Sequence, residues 1–495
     1  MAGASLIQLV ALGVQDTYLT SDPQITFFKI IYRRHTNFAI ESIRQNFLSK
    51  ADFGENAQCI VSRLGDLMHR IFVHVEIPSI PLFTNLNGEP DQIKKFAWVQ
   101  NLGYSLIKST TFEIDSKPID TQYGEWMYIW SELSGRNPHL LNKLIGNVEA
   151  LYDFSNGKKS MELFIPLEFY FCRNPGLSVP LIALSSSEIK ITIRFRSFLE
   201  VCRIGPTSSI IINSDVCPFS PGDYIEQTYN NQTINGYVMG FDYINRKLSY
   251  IKIANQSSQL NFVPNFQIKS MENPFWTVTP VNLEQVEPTF MPYSPSLTET
   301  YLLIDYIYLD SLERKKIVQN TQEYLIEQIQ YNVLPGIKNS SVKFNLILNH
   351  PSKAFYFVAQ MDKLVGPNTI NDRYNYTNSV NSDNPYAEGL IESAELILNG
   401  HSRFGKKDST YFNLIEPYEH HGGDAPIGVN VYSPALRPMD HQPSSTINMS
   451  EIVNPIIQVK LSNVINADNP ATLRVYTLSY NLLRVCFGMG AIGFE

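Results

Sequence analysis

Two stretches of this chain repeat one another without a gap. "IKSTTFEIDSKPID", from Ile107, lies over "IESAELILNGHSRF", from Ile391, so that Ile107 falls on Ile391, Ser109 on Ser393, Phe112 on Leu396, Ile114 on Leu398 and Asp115 on Asn399. Each runs through a turn into an aromatic-rich stretch, "YGEWMYIW" and "DSTYFNLI". A second echo follows at a similar offset, where a strand leads through a Pro-rich passage into another strand: "LFIPLEFYFCRNPGLSVPLIALSSSEIKITI" and "GVNVYSPALRPMDHQPSSTINMSEIVNPIIQVKL". Similarity of this kind is what a duplicated domain leaves behind, and it restricts the chain to folds that can be built twice.

The repeated unit reads as β-structure. In "EIKITIRF" the residues Ile189, Ile191, Ile193 and Phe195 face one way and Lys190, Thr192 and Arg194 the other; "RIFVHVEI" sets Ile71, Val73, Val75 and Ile77 opposite Phe72, His74 and Glu76, and Pro78 ends it. Further strands are expected over 162–171, 302–310, 342–348, 354–361 and 474–485, with short helices over 123–133 and 314–330. Aromatic residues make up 12% of the 495 and suit half-buried strand faces. A chain this long exceeds a single core and divides into two or three domains. An all-β chain with few helices is a sandwich or barrel. Residues 203–298 differ in character, being rich in Asn, Gln, Ser, Pro and Tyr, and "GYVMGFDYINRKLSYIKI" within them reads as a hairpin. Placed between the last two strands of the first copy, they are expected to form a surface excursion and the most exposed part of the chain.

"TFFKIIYRRHTNFAIE" (26–41) interleaves basic and aromatic side chains, a combination that can grip a nucleic-acid backbone. The whole chain argues against that use: 39 Lys+Arg stand against 47 Asp+Glu, a formal charge of -8, whereas phosphate binding needs a net basic surface. The start, "MAGASLIQLVALGVQD", is broken by Gln8 and Gly13 and lacks a basic n-region, so it reads as an amphipathic arm that packs on a partner, neither signal peptide nor membrane span. Cys59, Cys172, Cys202, Cys217 and Cys486 form no C-x-x-C pair and are expected as free thiols.

Motifs with a chemical look are sparse. "GMGAIG" (488–493) is a literal G-x-G-x-x-G, but only Phe494 and Glu495 follow where a dinucleotide site needs a helix, so a flexible tail is expected. "EPYEHHGGDAP" gathers Glu416, Glu419, His420, His421 and Asp424; adjacent histidines on an extended segment point apart, and a solvated turn is expected in place of a metal site. Glu162 with Glu168, or Asp305 with Asp310, would be glycosidase pairs only at hydrolytic separation. No G-x-S-x-G elbow, P-loop or HExxH occurs. Of the N-x-[ST] sequons, Asn231 and Asn255 sit in the proposed excursion and are the candidate glycosylation sites.

The motifs "LVALGVQDTYLTSDPQITFFKIIYRRHTNFAIES" (9–42), "PLEFYFCRNPGLSVPLIAL" (166–184), "DYIYLDSLERKK" (305–316), "EYLIEQIQ" (323–330), "LNHPSKAFYF" (348–357), "SAELILNGHSRF" (393–404) and "YNLLRVCFGMGAIGF" (480–494) occur in order from end to end. In this series the chain resembles the major capsid proteins of nucleocytoplasmic large DNA viruses, close to the algal-virus and giant-virus members. The resemblance implies an all-β fold of two consecutive eight-stranded jelly-roll barrels with short helices and a long loop insertion. The chain would divide into an N-terminal arm (1–25), a first jelly roll (26–312) with its insertion, a linker (313–330) and a second jelly roll (331–495). It also implies a structural protein, no enzyme and without cofactor, catalytic residue or metal. Its partners would be itself as a homotrimer, neighbouring capsomers and minor capsid proteins beneath the shell, with no direct nucleic acid and any internal membrane met only indirectly. Its place is the virion capsid, assembled in the virus factory of the host cytoplasm. In such proteins the N-terminal segment lies at the capsomer base, which makes Phe27, Phe28, Lys29, Tyr32, Arg33, Arg34 and Phe38 candidate inter-chain or base contacts. Ser445 departs from the pattern, which commonly has Gly there, and 203–298 is longer than in the shorter members. A carbohydrate-acting sandwich, lectin or glycosidase, is the competing class.

Overall fold

The computed structural model describes residues 3–11, 13–24, 34–85, 87–135, 137–230, 232–254, 260–287, 295–366 and 369–494. The chain forms two units, Met1–Phe38 and Ala39–Glu495. In the first, a helix spans Gly3–Val10, and Asp16 organises the next turn by accepting the Gly13 amide at 2.7 Å. Leu6, Ile7, Leu9 and Val10 of that helix are exposed.

In the second unit, alternating apolar residues build two sandwiches of one design. The first uses β1 (Phe38–Asn46), β2 (Asn56–Ile60), β3 (Leu67–Ile77), β4 (Ile107–Ile114), β5 (Lys117–Tyr123), β6 (Met161–Pro166), β7 (Ile189–Phe195) and β8 (Glu299–Leu309). The second uses β9 (Gln322–Ile337), β10 (Ser341–Asn345), β11 (Pro351–Met361), β12 (Ile391–Leu398), β13 (His401–Ser402), β14 (Asn430–Tyr432), β15 (Ile456–Leu461) and β16 (Ala471–Cys486). The sheet orders are β1-β8-β3-β6 and β2-β7-β4-β5 in the first, and β9-β16-β11-β14 and β10-β15-β12-β13 in the second. Adding eight to every strand of one roll gives the other. This is the jelly-roll pattern twice over. The expected barrels are open sandwiches, however: each roll keeps its two sheets separate.

The sequence echo falls on equivalent elements. Ile107–Ile114 and Ile391–Leu398 are β4 and β12. Each leads into a turn with two successive positive φ values, 52° and 63° at Asp115 and Ser116, 51° and 80° at Asn399 and Gly400. That geometry suits a tight hairpin and favours Asn, Asp and Gly. Ile71, Val73, Val75, Ile77, Ile189, Ile191, Ile193 and Phe195 are all buried, as alternation requires.

Three expectations change. Helix over 314–330 holds only for α2 (Ser311–Gln319), which begins after β8. Asp310 caps it by accepting the amides of Leu312 and Glu313 at 3.0 and 2.9 Å, and from Gln322 the chain pairs with β16 along the length of β9. Residues 322–330 therefore belong to a strand: pairing with β16 overrides a local pattern that also suited a helix. The strand expected over 162–171 stops at Pro166, and Tyr170–Arg173 is a helical turn. The insertion between β7 and β8 is more than a loop. Its strands form a seven-stranded antiparallel sheet in which Gln232–Asp242 and Lys247–Ile253 make the expected hairpin. Ile210, Ile225, Val238, Leu248, Tyr250, Phe262 and Ile268 give it a core of its own. Ser445, for its part, adopts φ 121°, a conformation that glycine enters with least strain, so that turn keeps a glycine-like backbone.

The helix expected over 123–133 is present as α1 (Gly124–Leu133). A Cβ at Gly124 would lie 2.0 Å from the Tyr104 carbonyl oxygen and 2.3 Å from that of Ile107. Gly124→Ala is expected to cost about 3 kcal/mol of stability through this overlap, read as a lowered denaturation midpoint in urea.

Candidate assembly interface

"GEWMYIWSEL" is apolar on nearly every side, and a helix of that kind needs cover all round. The cover for α1 comes from both rolls. Trp126, Met127, Ile129, Trp130 and Leu133 are buried, and Trp126 meets Tyr356 of β11 edge-on at 5.0 Å and Tyr476 of β16 at 5.8 Å. One hydrophobic cluster runs from the interior of the first roll through α1 to Ile326, Ala354, Tyr356, Val358 and Leu478 on the outer face of the second roll's β9-β16-β11-β14 sheet. The second roll's interior, around Phe355, Phe357 and Val475, is a separate cluster. Alternation along β11 thus feeds two cores at once.

Buried polar groups lock this junction. Glu125 of α1 accepts hydrogen bonds from Arg474 at 2.9 Å, the Tyr376 hydroxyl at 2.9 Å and the Tyr476 hydroxyl at 2.5 Å, all from the second roll. Asp120 of β5 accepts the Ile329 amide of β9 at 3.0 Å, and Gln328 donates to the Ile119 carbonyl. Burial pushes the Asp120 carboxyl up to about 6 against those bonds. A third contact centres on Glu327 of β9, which pairs with Arg173 of the first roll at 2.8 Å, with Lys353 of β11, and with His441 at 3.6 Å. Burial raises the Glu327 carboxyl, but Arg173, His441 and Lys353 outweigh it and hold the group down at about 2.

The "EPYEHHGGDAP" segment joins the same junction through Glu416, His421 and Gly423, while Tyr418, Glu419, Gly422 and Asp424 face solvent as the expected turn would. Glu416–His420 is a helical turn, α3, continuing a wider turn over Tyr411–Ile415. Buried Glu416 accepts the Ser433 amide at 3.1 Å, and His421 lies 3.3 Å from the Tyr356 hydroxyl, with burial and neighbouring His420 pushing it down to about 4. The Gly423 amide closes the end of α1 by donating to the Leu133 carbonyl at 3.0 Å. "GMGAIG" is likewise no flexible tail: Met489–Ile492 pairs with β16 after a turn at Phe487 and Gly488, both with positive φ.

Among the described residues no group of three His, Cys, Asp or Glu side chains is placed to hold a metal ion. The proposed carboxylate pairs have separate roles: Glu162 faces solvent 3.8 Å from His74, Glu168 is buried, Asp305 accepts from Ser42, and Asp310 caps α2. The five cysteines are free, with Cys59, Cys172 and Cys202 buried. No described helix is long and apolar enough to cross a membrane.

Residues 26–310 match the family model for the major capsid protein N-terminus, and 313–491 match that of the large eukaryotic DNA virus major capsid protein. The chain belongs to this capsid protein family. It is 51% identical to probable capsid protein 4 of Acanthamoeba polyphaga mimivirus, over 100% of this chain and 99% of that one. It is 32% identical to the major capsid protein of Pyramimonas orientalis virus over the whole of both. The Faustovirus major capsid protein shares the fold at TM-score 0.66 and 12% identity, covering 97% of this chain and 96% of its own, and the quasi-atomic model of the PBCV-1 virus capsid does so at 0.63 and 23%, covering 95% and 100%. This is therefore a major capsid protein of a large DNA virus, a structural component of the virion capsid.

Of the contacts expected in this capsid protein, Arg34 and Phe38 are exposed, whereas Phe27, Phe28, Lys29, Tyr32 and Arg33 lie outside the described residues, as do Asn231 and Asn255. Asn375, another sequon, is buried and accepts from the Thr377 amide and hydroxyl, which makes it a turn former. Of the junction carboxylates, Glu416 stood out in the sequence only as a metal-ligand candidate, and Glu125, Asp120 and Glu327 were missed; an acid inside a mostly apolar helix, Glu125, was the available signal.

Glu125→Ala leaves partly buried Arg474 without its carboxylate and is expected to cost about 3 kcal/mol, measured as the loss in unfolding free energy. Glu327 binds fewer protons folded than unfolded below its ordinary pKa, so its stabilising contribution is complete above about pH 4.5 and is lost as pH falls toward 2. Thermal melts between pH 5 and pH 2 should show the wild type losing stability more steeply than Glu327→Gln, which starts lower and has no such titration.

Proposed function

We propose that three copies of this chain close into a homotrimeric, pseudo-hexagonal capsomer by repeating, between chains, the contact that joins the two rolls within one. The observation that carries this reading is an asymmetry of cover. The outer face of the second roll's β9-β16-β11-β14 sheet is buried beneath α1. The matching face of the first roll, on β1-β8-β3-β6, carries an aromatic row of the same kind: His74 stacks on Tyr301 at 4.2 Å, Phe164 meets His74 at 4.8 Å, and Arg44 sits 4.1 Å above Tyr301. Ile40 on β1 is 53% exposed. The second roll's counterpart of α1, the helical stretch from Tyr411 to His420, presents Leu414, Ile415 and Tyr418 at 59, 44 and 89% exposure. Among the described residues, the apolar side chains exposed on that stretch and those of the first-roll face, where Ile40 is exposed and Phe164 and Tyr301 are half-buried around buried His74, complement each other head to tail. Contacts of that type generate rings when the rotation closes. Two rolls per chain then supply six corners from three chains.

In this reading capsomers tile an icosahedral shell, the arm residues Phe27, Phe28, Lys29, Tyr32, Arg33, Arg34 and Phe38 contact the base or minor capsid proteins, and assembly takes place in the host cytoplasm. The chain divides into the arm, the two rolls and the insertion, and Asn231 and Asn255 are the sugar acceptors. No catalysis is assigned.

Light scattering after size exclusion should give three times 56.3 kDa, about 169 kDa. Leu414→Asp with Tyr418→Asp should return the mass to that of one chain with an unchanged circular dichroism spectrum. A wild-type monomer, or a trimer indifferent to the double substitution, overturns the proposed contact. Arg33→Ala with Arg34→Ala should impair assembly into shells and leave DNA affinity unaltered, scored by electron microscopy and filter binding.

A further inference from the structure

Beside Glu125 the two rolls leave a cavity of about 370 Å³. The first roll contributes Lys108, Arg194 and Arg196 to its lining, the second Arg373 and Arg474; among the described residues Glu125 is the one carboxylate there, and Arg474 already holds it. Of the remaining cations, Arg196 and Arg373 are offset in part by the Glu200 carboxylate, which lies outside the lining. Lys108 and Arg194 are exposed and form no ion pair among the described residues. Arg196 donates to the carbonyls of Ser105 and Ile107 at 2.7 and 3.2 Å, which orients its guanidinium without neutralising it. The Arg373 side chain is only 10% exposed. Its Nε donates to the Glu200 carbonyl at 2.9 Å, and its Nη2, 3.9 Å from the Glu200 carboxylate, has no hydrogen-bond partner. Burial, then the Arg196 charge beside it, lowers its pKa to about 9. A largely buried guanidinium with an idle donor, in a cavity lined by four further cations and one carboxylate, is a good arrangement for an anion.

We infer that this cavity binds a small multivalent phosphate anion, of the pyrophosphate or tripolyphosphate class, that bridges the cations of the two rolls. Guanidinium forks match phosphate oxygens two at a time, and a multivalent anion relieves repulsion between Arg196 and Arg373 that one chloride cannot. Tyr123 and Tyr331 also line the cavity. Because the cations come from both rolls, the bound anion fastens the junction, and binding to the folded state alone raises the melting temperature. The phosphate chain can be a free ion or part of a nucleotide, which shares its chemistry.

The test is calorimetric titration of the full-length protein with sodium tripolyphosphate and, separately, ATP, with melting curves beside each. Tripolyphosphate is expected to bind once per chain and to raise the melting temperature above that in sodium chloride of equal ionic strength. Lys108→Gln with Arg194→Gln, both exposed and unpaired, should leave the unliganded melting temperature unchanged and weaken binding about tenfold or more. Arg373→Gln should weaken it as well. Equal binding of ATP supports the site with nucleotides as a source; binding of tripolyphosphate alone supports it with the free ion. Absence of binding, a shift that sodium chloride reproduces, or a double variant that binds like the wild type overturns the inference.

Discussion

Everything in the main unit hangs on one helix being given no solvent. The ten residues of α1 are apolar on almost all sides, and a single roll can cover only one of them. The second roll supplies the rest, and Glu125 turns that proximity into a fixed pose, because its buried carboxylate is satisfied only when Arg474, Tyr376 and Tyr476 converge on it. Hydrophobic cover without such a contact would tolerate sliding. With it, the two sandwiches become one body.

The two rolls share a plan but differ in how they use it. Tyr356 and Phe357 are neighbours on β11, yet one belongs to the junction and the other to the roll interior. Strand periodicity makes this possible, since successive side chains point to opposite faces. The first roll keeps mixed polar and aromatic groups on the matching face, with Arg44, Glu299 and Glu162 among the rings. That difference in polarity between equivalent faces is what a chain needs if one face meets its own helix and the other meets a separate molecule.

Much of the fold was legible from local pattern. Alternation located β3 and β7, and the ungapped echo paired β4 with β12 down to their turns. What escaped was decided by long-range pairing. Residues 322–330 suit a helix until β16 is laid beside them. Met489–Ile492 looks like a tail until the turn at Phe487 and Gly488 returns it to β16. The histidines of 420 and 421 read as solvent-facing because the sequence does not disclose that Tyr356, far upstream, waits beneath one of them. The junction was the least legible part, since its acids and cations come from segments hundreds of residues apart.

The seven-stranded insertion has a further bearing on how such a chain changes over time. It carries its own hydrophobic core and leaves the first roll through a short ladder between Lys95–Trp98 and Cys202–Gly205. Neither the sheet faces at the junction nor α1 draws on its interior. The module's Ile253 also reaches the second roll's core, so a lineage can redecorate its exposed loops without disturbing the junction, whereas changes along that edge are felt by the second roll.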